Sequence, residues 1–196
     1  MLRILTLAIA LLVIPAVSAS GQDFQKGVAA YRSGDYATAL REWTPLAEQG
    51  HASAQGNLGV MYENGQGAPQ DYKAAVRWYR LAAEQGQASA QYNLGVMYRK
   101  GQGVPQDDKA AVNWYRLAAE QGHAAAQNNL GGMYAQGQGV TQDNVYAHMW
   151  WNIAASSGLK DAVENRDIVA GKMTPAQIEK AQDLARECVA KNYKGC

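Results

Sequence analysis

Apolar residues recur along this chain in two alternating helical registers. Between Ala52 and Asn64, Leu58, Met61 and Tyr62 stand at spacings of three and four, which puts them on one face of a helix. Between Asp71 and Gln85, Ala74, Ala75, Trp78, Leu81, Ala82 and Ala83 draw a broader apolar stripe whose alanines permit close approach. The pair of patterns then returns: GNLGVMYENGQGAPQDYKAAVRWYRLAAEQGQASAQ from Gly56, YNLGVMYRKGQGVPQDDKAAVNWYRLAAEQGHAAAQ from Tyr92, and NNLGGMYAQGQGVTQD from Asn128, drifting after Asp143. The period is 36 residues. A fixed period of this order marks a solenoid, in which each unit buries its apolar face only against its neighbours.

Glycines punctuate the block. Gly59, Gly95 and Gly131 lie inside the first-half helices, where Gly costs about 1 kcal/mol relative to Ala. Their return in every copy predicts a helix–helix approach that a Cβ would block. Gly65, Gly101 and Gly137 fit the left-handed position that ends a helix, as do Gly86, Gly122 and Gly158 after the second halves. The connections GQGAPQD, GQGVPQD and GQGVTQD exclude regular structure. Asp71, Asp107 and Asp143 then stand where a carboxylate can accept from the free N–H groups of the next helix. Short links predict antiparallel neighbours.

The flanks continue the pattern. Residues 23–50 match the second-half helix at the same offset, with Trp43 on Tyr79 and Gly50 on Gly86. They match the first-half helix at an offset of 31, with Tyr31 on Tyr62, and lack a counterpart of Gln66 to Gln70. Beyond Gly158 comes a shorter, more polar helix to Ala170. Thr174, Pro175 and Gln177 then spell a capping box with a Pro start. Ile178, Ala181, Leu184, Ala185, Cys188 and Val189 form the apolar face of this last helix, with a polar outer face expected to hide the open end. The expectation is all-α: ten helices in about five hairpins.

With LGVMY, GQGVPQD, KAAVxWY and LAAEQG in place, the chain resembles the Sel1-like repeat family, relatives of tetratricopeptide repeats. The resemblance implies a right-handed α/α superhelix whose first-half helices line a concave face, and an adaptor role in multi-protein assemblies. It divides the chain into a tetratricopeptide-like hairpin (20–50), three repeats within 51–158 (52–87, 88–123 and 124–158) and a C-terminal capping hairpin (159–196). Some secreted members are described as penicillin-binding or β-lactamase-like, but carry a Cys pair in each repeat. The internal repeats here have none.

Residues 1–19 read as a secretory signal peptide: Arg3, an apolar run from Ile4 to Val17, and Val17-Ser18-Ala19 as a cleavage site. The run is shorter than the ~20 residues of a spanning helix, so no membrane span is expected in the mature chain. A periplasmic or secreted location follows. Loss of Arg3 leaves 17 Lys plus Arg against 17 Asp plus Glu, without the basic footprint that nucleic acid requires. In such a compartment Cys188 and Cys196 are expected to pair. Ser157 and Lys160 spell S-x-x-K, but Gly158 breaks the helix between them and the S-D-N and K-T-G elements of that chemistry are missing. No His/Cys/Asp/Glu grouping has metal-ligand spacing, and no cofactor is expected. His51, Gln87 and His123 share one register, expected to be a solvated turn. The pairs Trp78-Tyr79, Trp114-Tyr115 and Trp150-Trp151 are expected in the core.

Stacking fixes what the copies share, so binding must use what varies. On the first-half helices the varying sets are Gly56, Tyr92, Asn128; Glu63, Arg99, Ala135; and Asn64, Lys100, Gln136. Asn57, Asn93 and Asn129 repeat at one level and either hold a peptide backbone or tie helices together. The candidate groove is therefore Asn57, Tyr92, Asn93, Arg99, Lys100, Asn128, Asn129 and Gln136. The expected function is non-catalytic binding of a protein or peptide partner. A β-lactamase-like hydrolase and a peptidoglycan- or glycan-binding module are the alternatives.

Overall fold

The computed structural model describes residues 23–196, so the signal-peptide reading of residues 1–19 lies outside it. Ten helices follow one another: α1 (Phe24–Arg32), α2 (Tyr36–Glu48), α3 (Ala52–Asn64), α4 (Tyr72–Glu84), α5 (Ala88–Lys100), α6 (Asp108–Ala119), α7 (Ala124–Gln136), α8 (Asn144–Ser156), α9 (Lys160–Ala170) and α10 (Pro175–Ala190). There is no strand among the described residues. α3, α5 and α7 each pack on the even helices before and after them, which is the stacking of a helical solenoid.

The punctuation acts as its chemistry dictates. Asp71, Asp107 and Asp143 each accept from backbone N–H groups in the first turn of α4, α6 and α8. Gly65, Gly101 and Gly137 close α3, α5 and α7 at φ of 67, 66 and 68°, left-handed values that cost a side chain energy. The second Gly of each loop has another task. A Cβ at Gly67, Gly103 or Gly139 would lie within 3 Å of the carbonyl of Tyr36, Tyr72 or Asp108, so each loop rests on the start of the preceding even helix.

The helical glycines admit aromatic rings. A Cβ on Gly59, Gly95 or Gly131 would fall within 3 Å of the ring of Tyr79, Tyr115 or Trp151. Gly27 receives Trp43 in the same way. This sets the first hairpin at an offset of 32 along the first-half helix, one residue away from the alignment on Tyr31. Tyr79, Tyr115 and Trp150 are fully buried and Trp78 and Trp151 nearly so, as expected of core residues, whereas Trp114 is only half-buried at the edge of the core.

Three apolar assignments differ from the sequence expectation. Leu81 and Leu117 are 40% and 45% exposed, while Val76, Tyr79, Val112 and Tyr115 complete the buried stripe in their place. Val189 is also exposed. The final pair is not a closed hairpin: α10 packs against α8 and does not run back along α9. It covers Met149 and Ile153, which occupy the positions of exposed Asn113 and Leu117 one repeat earlier. The third copy drifts after Asp143 because α8 must bury a face that α4 and α6 leave to solvent.

Charged pairs stand on the first and last odd helices. At the ring-receiving position α9 carries Asp167, which Arg166 pairs at 2.8 Å. At the other end Lys26 pairs with buried Glu42 at 2.7 Å, and this ion pair holds the Glu42 carboxyl below its ordinary range. The capping box of Thr174 and Gln177 forms. Cys188 and Cys196 are disulfide-bonded with Cα atoms 5.5 Å apart, tying the tail to α10. Asn192 and Tyr193 turn the chain at φ of 51 and 66°, and the Tyr193 ring comes to rest beside Gly122.

Candidate functional site

The first-half helices present one continuous face. Asn57, Asn93, Asn129 and Asn165 repeat along it, and one turn further on stand Val28, Val60, Val96, Gly132 and Ile168 in α1, α3, α5, α7 and α9. Asn57 and Val60 line two adjoining hollows. One, of about 430 Å³, is walled by Val28, Tyr31, Arg32 and Trp43. The other, of about 130 Å³, reaches Tyr79, Ser89 and Asn93 on the α5 side. At Gly132 nothing lies within 4 Å of where a Cβ would sit, and Ile168 is 57% exposed. The valine row and Asn165 were missed from sequence. Their signal was the 36-residue register, hidden because Val60 and Val96 are apolar residues inside the shared LGVMY block.

The named residues divide between two roles. Asn57 is half-buried, lines both hollows and has no hydrogen-bond partner among the described residues. Asn93 and Asn129 stand near the hydroxyls of Tyr79 and Tyr115, rings of the preceding even helices, but the Tyr79 hydroxyl donates to Glu63 and the Tyr115 hydroxyl is buried with no hydrogen-bond partner. Burial, helped at Tyr79 by the Glu63 carboxylate that accepts its hydrogen bond at 2.5 Å, raises both phenols, Tyr115 to about 12. Asn128 is held by the Asn165 amide at 3.3 Å and accepts at its carbonyl from Trp151 Nε1 at 3.0 Å. Arg99, Lys100 and Gln136 are exposed at the C-terminal ends of α5 and α7.

Tyr92 is not a free groove residue. Its ring stacks on His123 with centroids 4.8 Å apart, and Phe24 stacks on His51 at the same distance. The histidines therefore do more than occupy a turn, although His51 is exposed as expected and only His123 is half-buried. Each Nδ1 accepts from the N–H three residues on, Ala54 or Ala126, at 3.2 Å, capping α3 and α7. Between them Gln87 makes no cap, and its Oε1 fills the space a Cβ on Gly56 would need. Ring with His alternates with Gly and Gln. Burial lowers the pKa of His123, as it does that of His148 in α8, where Arg166 adds to the effect.

A glutamine relay also escaped sequence reading. Gln55, Gln91 and Gln127 donate back to the carbonyls of Ala47, Ala83 and Ala119 at 2.9, 3.1 and 3.1 Å. Gln85 and Gln121 donate to Gln55 and Gln91 at 2.6 and 2.7 Å, so each relay joins three consecutive helices. Ser157 replaces the third donor, and Gln127 Oε1 is buried without a partner. Ser157 is the exposed cap of α8 and Lys160 opens α9, so the two stand on opposite sides of the break at Gly158. Among the described residues no group of three or more His, Cys, Asp or Glu could hold a metal, and no helix is long and apolar enough to cross a membrane.

The Sel1 repeat model matches residues 52–87, 88–123 and 124–159, more than half of the chain. The chain belongs to the Sel1 repeat family. Sel1 repeats generally mediate protein–protein interaction. Among solved structures, this Sel1 protein is similar to a Sel1 repeat protein from Oxalobacter formigenes, at 30% identity and a TM-score of 0.68 over 86% of this chain and 76% of that one. It is also similar to a protective antigen present in uropathogenic Escherichia coli strains, which displays an SLR fold, at 28% identity and a TM-score of 0.60 over 86% of this chain. The chain spans about half of that antigen, 48% of its length. No curated protein sequence matches it.

Proposed function

We propose that this Sel1 repeat protein is a non-catalytic adaptor that binds a segment of another protein along its first-half-helix face, in the periplasm or outside the cell. The observation that carries this reading is the pair of hollows that share Asn57 and Val60. An apolar floor of Val28, Val60 and Trp43 beside one unengaged amide and one unengaged guanidinium can bury a side chain and orient a backbone. None of these groups is placed for nucleophilic or general acid–base chemistry. The disulfide supports a compartment that preserves such bonds, and the likeness to a protective antigen agrees with it.

The test is affinity purification of the tagged mature chain from its native host, beside a Val60→Arg variant that fills the hollow. Val60 is half-buried at a groove edge, so the variant is expected to fold with an unchanged circular dichroism spectrum. Partners that copurify with the parent and disappear with the variant are the expected result. A partner set that ignores Val60→Arg contradicts the groove reading. Turnover of a β-lactam by the mature chain, abolished by Ser157→Ala, would replace it with the hydrolase alternative.

A further inference from the structure

The groove has one charged edge. The residue that follows the Val row by one turn is Arg32 in α1, Asn64 in α3, Lys100 in α5, Gln136 in α7 and Lys172 just past α9. No acid occupies this position in any of the five units, although the chain as a whole has 18 basic and 17 acidic residues. Arg99 adds a fourth cation beside Lys100. None of Arg32, Arg99, Lys100 and Lys172 makes an ion pair among the described residues, whereas Lys26, Arg41, Arg166 and Arg186 do. Of the acids at this end of the helices, Glu63 accepts from the Tyr79 hydroxyl, while Asp71 and Asp107, whose backbone N–H groups reach the Tyr62 and Tyr98 carbonyls, are engaged by the first turns of α4 and α6.

The apolar component is as localised as the charge. The larger hollow lies between α1 and α3, with Trp43 and Tyr31 as walls, Arg32 at its rim and the free amide of Asn57 on its far side. Charged rims set orientation and partner choice, while a buried apolar anchor supplies most of the affinity. Helices packed roughly 10 Å apart put Arg99 and Lys100 about 15 Å from that hollow, or about five residues of extended chain at ~3.3 Å each.

We propose that the partner is an extended acidic segment of another protein, with one apolar side chain seated between α1 and α3 and carboxylates lying along the Arg32–Lys100 edge. The proposal rests on the groove-binding function above and adds the chemistry of what is bound. The segment runs across the first-half helices, its backbone passing Asn57.

Selection of displayed random 12-residue peptides on the disulfide-bonded mature chain tests this, with the Arg99→Glu/Lys100→Glu variant and the Val60→Arg variant as parallel baits. All three substituted positions are exposed or half-buried, so each bait is checked for an unchanged thermal midpoint. The expected pool carries an apolar residue followed within about six positions by two or more Asp or Glu. Its members should lose at least tenfold in affinity on the charge-reversed bait, and binding should weaken as salt is raised. A pool that is neutral or basic, or one that binds the charge-reversed bait equally well, overturns the proposal. If such a pool still fails on Val60→Arg, groove binding stands and only the acidic preference falls. A pool indifferent to both baits removes both readings, and so does the recovery of no peptides.

Discussion

Replacing Ser157 by Gln is expected to stabilise the protein, and the relay gives the size of the gain. Gln127 Oε1 is buried with no partner, while the equivalent oxygens of Gln55 and Gln91 receive hydrogen bonds at 2.6 and 2.7 Å. The backbone at Ser157 (φ −85, ψ 7) is nearly that of Gln85 (φ −82, ψ 4), so a Gln there starts from the same direction. A buried orphan acceptor costs roughly 1–3 kcal/mol. Ordering the long Gln side chain returns up to about 1.5–2 kcal/mol of that. The net expectation is about 0.5–1 kcal/mol of added stability, or a thermal midpoint about 1–4 °C higher for a chain of this size. The reciprocal change, Gln121→Ser, orphans Gln91 Oε1 and should lower the midpoint by a similar amount. Differential scanning calorimetry of the two variants and the parent, all oxidised, measures both. A lower midpoint for Ser157→Gln, or no effect of Gln121→Ser, would refute the claim that the relay contributes to stacking.

Three further outcomes follow from the packing. Gly131→Ala forces a Cβ within 3 Å of the Trp151 ring and should cost about 1–3 kcal/mol of overpacking; its neighbour Gly132→Ala meets nothing within 4 Å and should instead gain up to ~1 kcal/mol of helix propensity. Urea unfolding of the pair decides this, and equal shifts would contradict it. His123 and His148 are held neutral by burial, with folded pKa values below the ordinary 6.5. Their stabilisation is complete above about pH 6.5 and lost as pH falls through the folded values. The urea midpoint should therefore drop between about pH 7.5 and about pH 5, and His148→Val, which restores the residue of Val76 and Val112, should flatten part of that drop. Reduction of the Cys188–Cys196 bond should cost roughly 2–2.5 kcal/mol by loop closure, with loss of amide-exchange protection confined to the tail and the last turns of α10; loss spread through α3 to α7 would contradict this.

The fold was legible because the repeat states each constraint three times. A lone Gly59 could be a weak helix residue; Gly59, Gly95 and Gly131 together announce a ring packed against a backbone. The same redundancy located the helix ends and the Asp caps. Positions whose meaning depends on a neighbouring unit were not legible. Leu81 and Leu117 looked like core, yet they lie on an outer face that only α10 ever covers, and it covers it at α8. Tyr92 varies between copies, and so read as a ligand contact, but it varies together with His123 because the two rings stack across a repeat boundary. Offset alone could not show that coupling. The groove was half visible: the asparagine row was found, while the valine row beside it was not singled out, since an apolar residue lining a shallow groove has the same sequence signature as one in the core.

Site-specific photo-crosslinking in the native host tests the central claim most directly. A crosslinking amino acid is placed in turn at Asn57 and Val60 on the first-half face, and at Leu81 and Leu117 on the opposite, exposed face of the even helices. The account predicts the same partner bands from Asn57 and Val60 and none from Leu81 or Leu117. Partner bands from Leu81 and Leu117 with none from the groove would show that this Sel1 repeat protein binds through its outer surface.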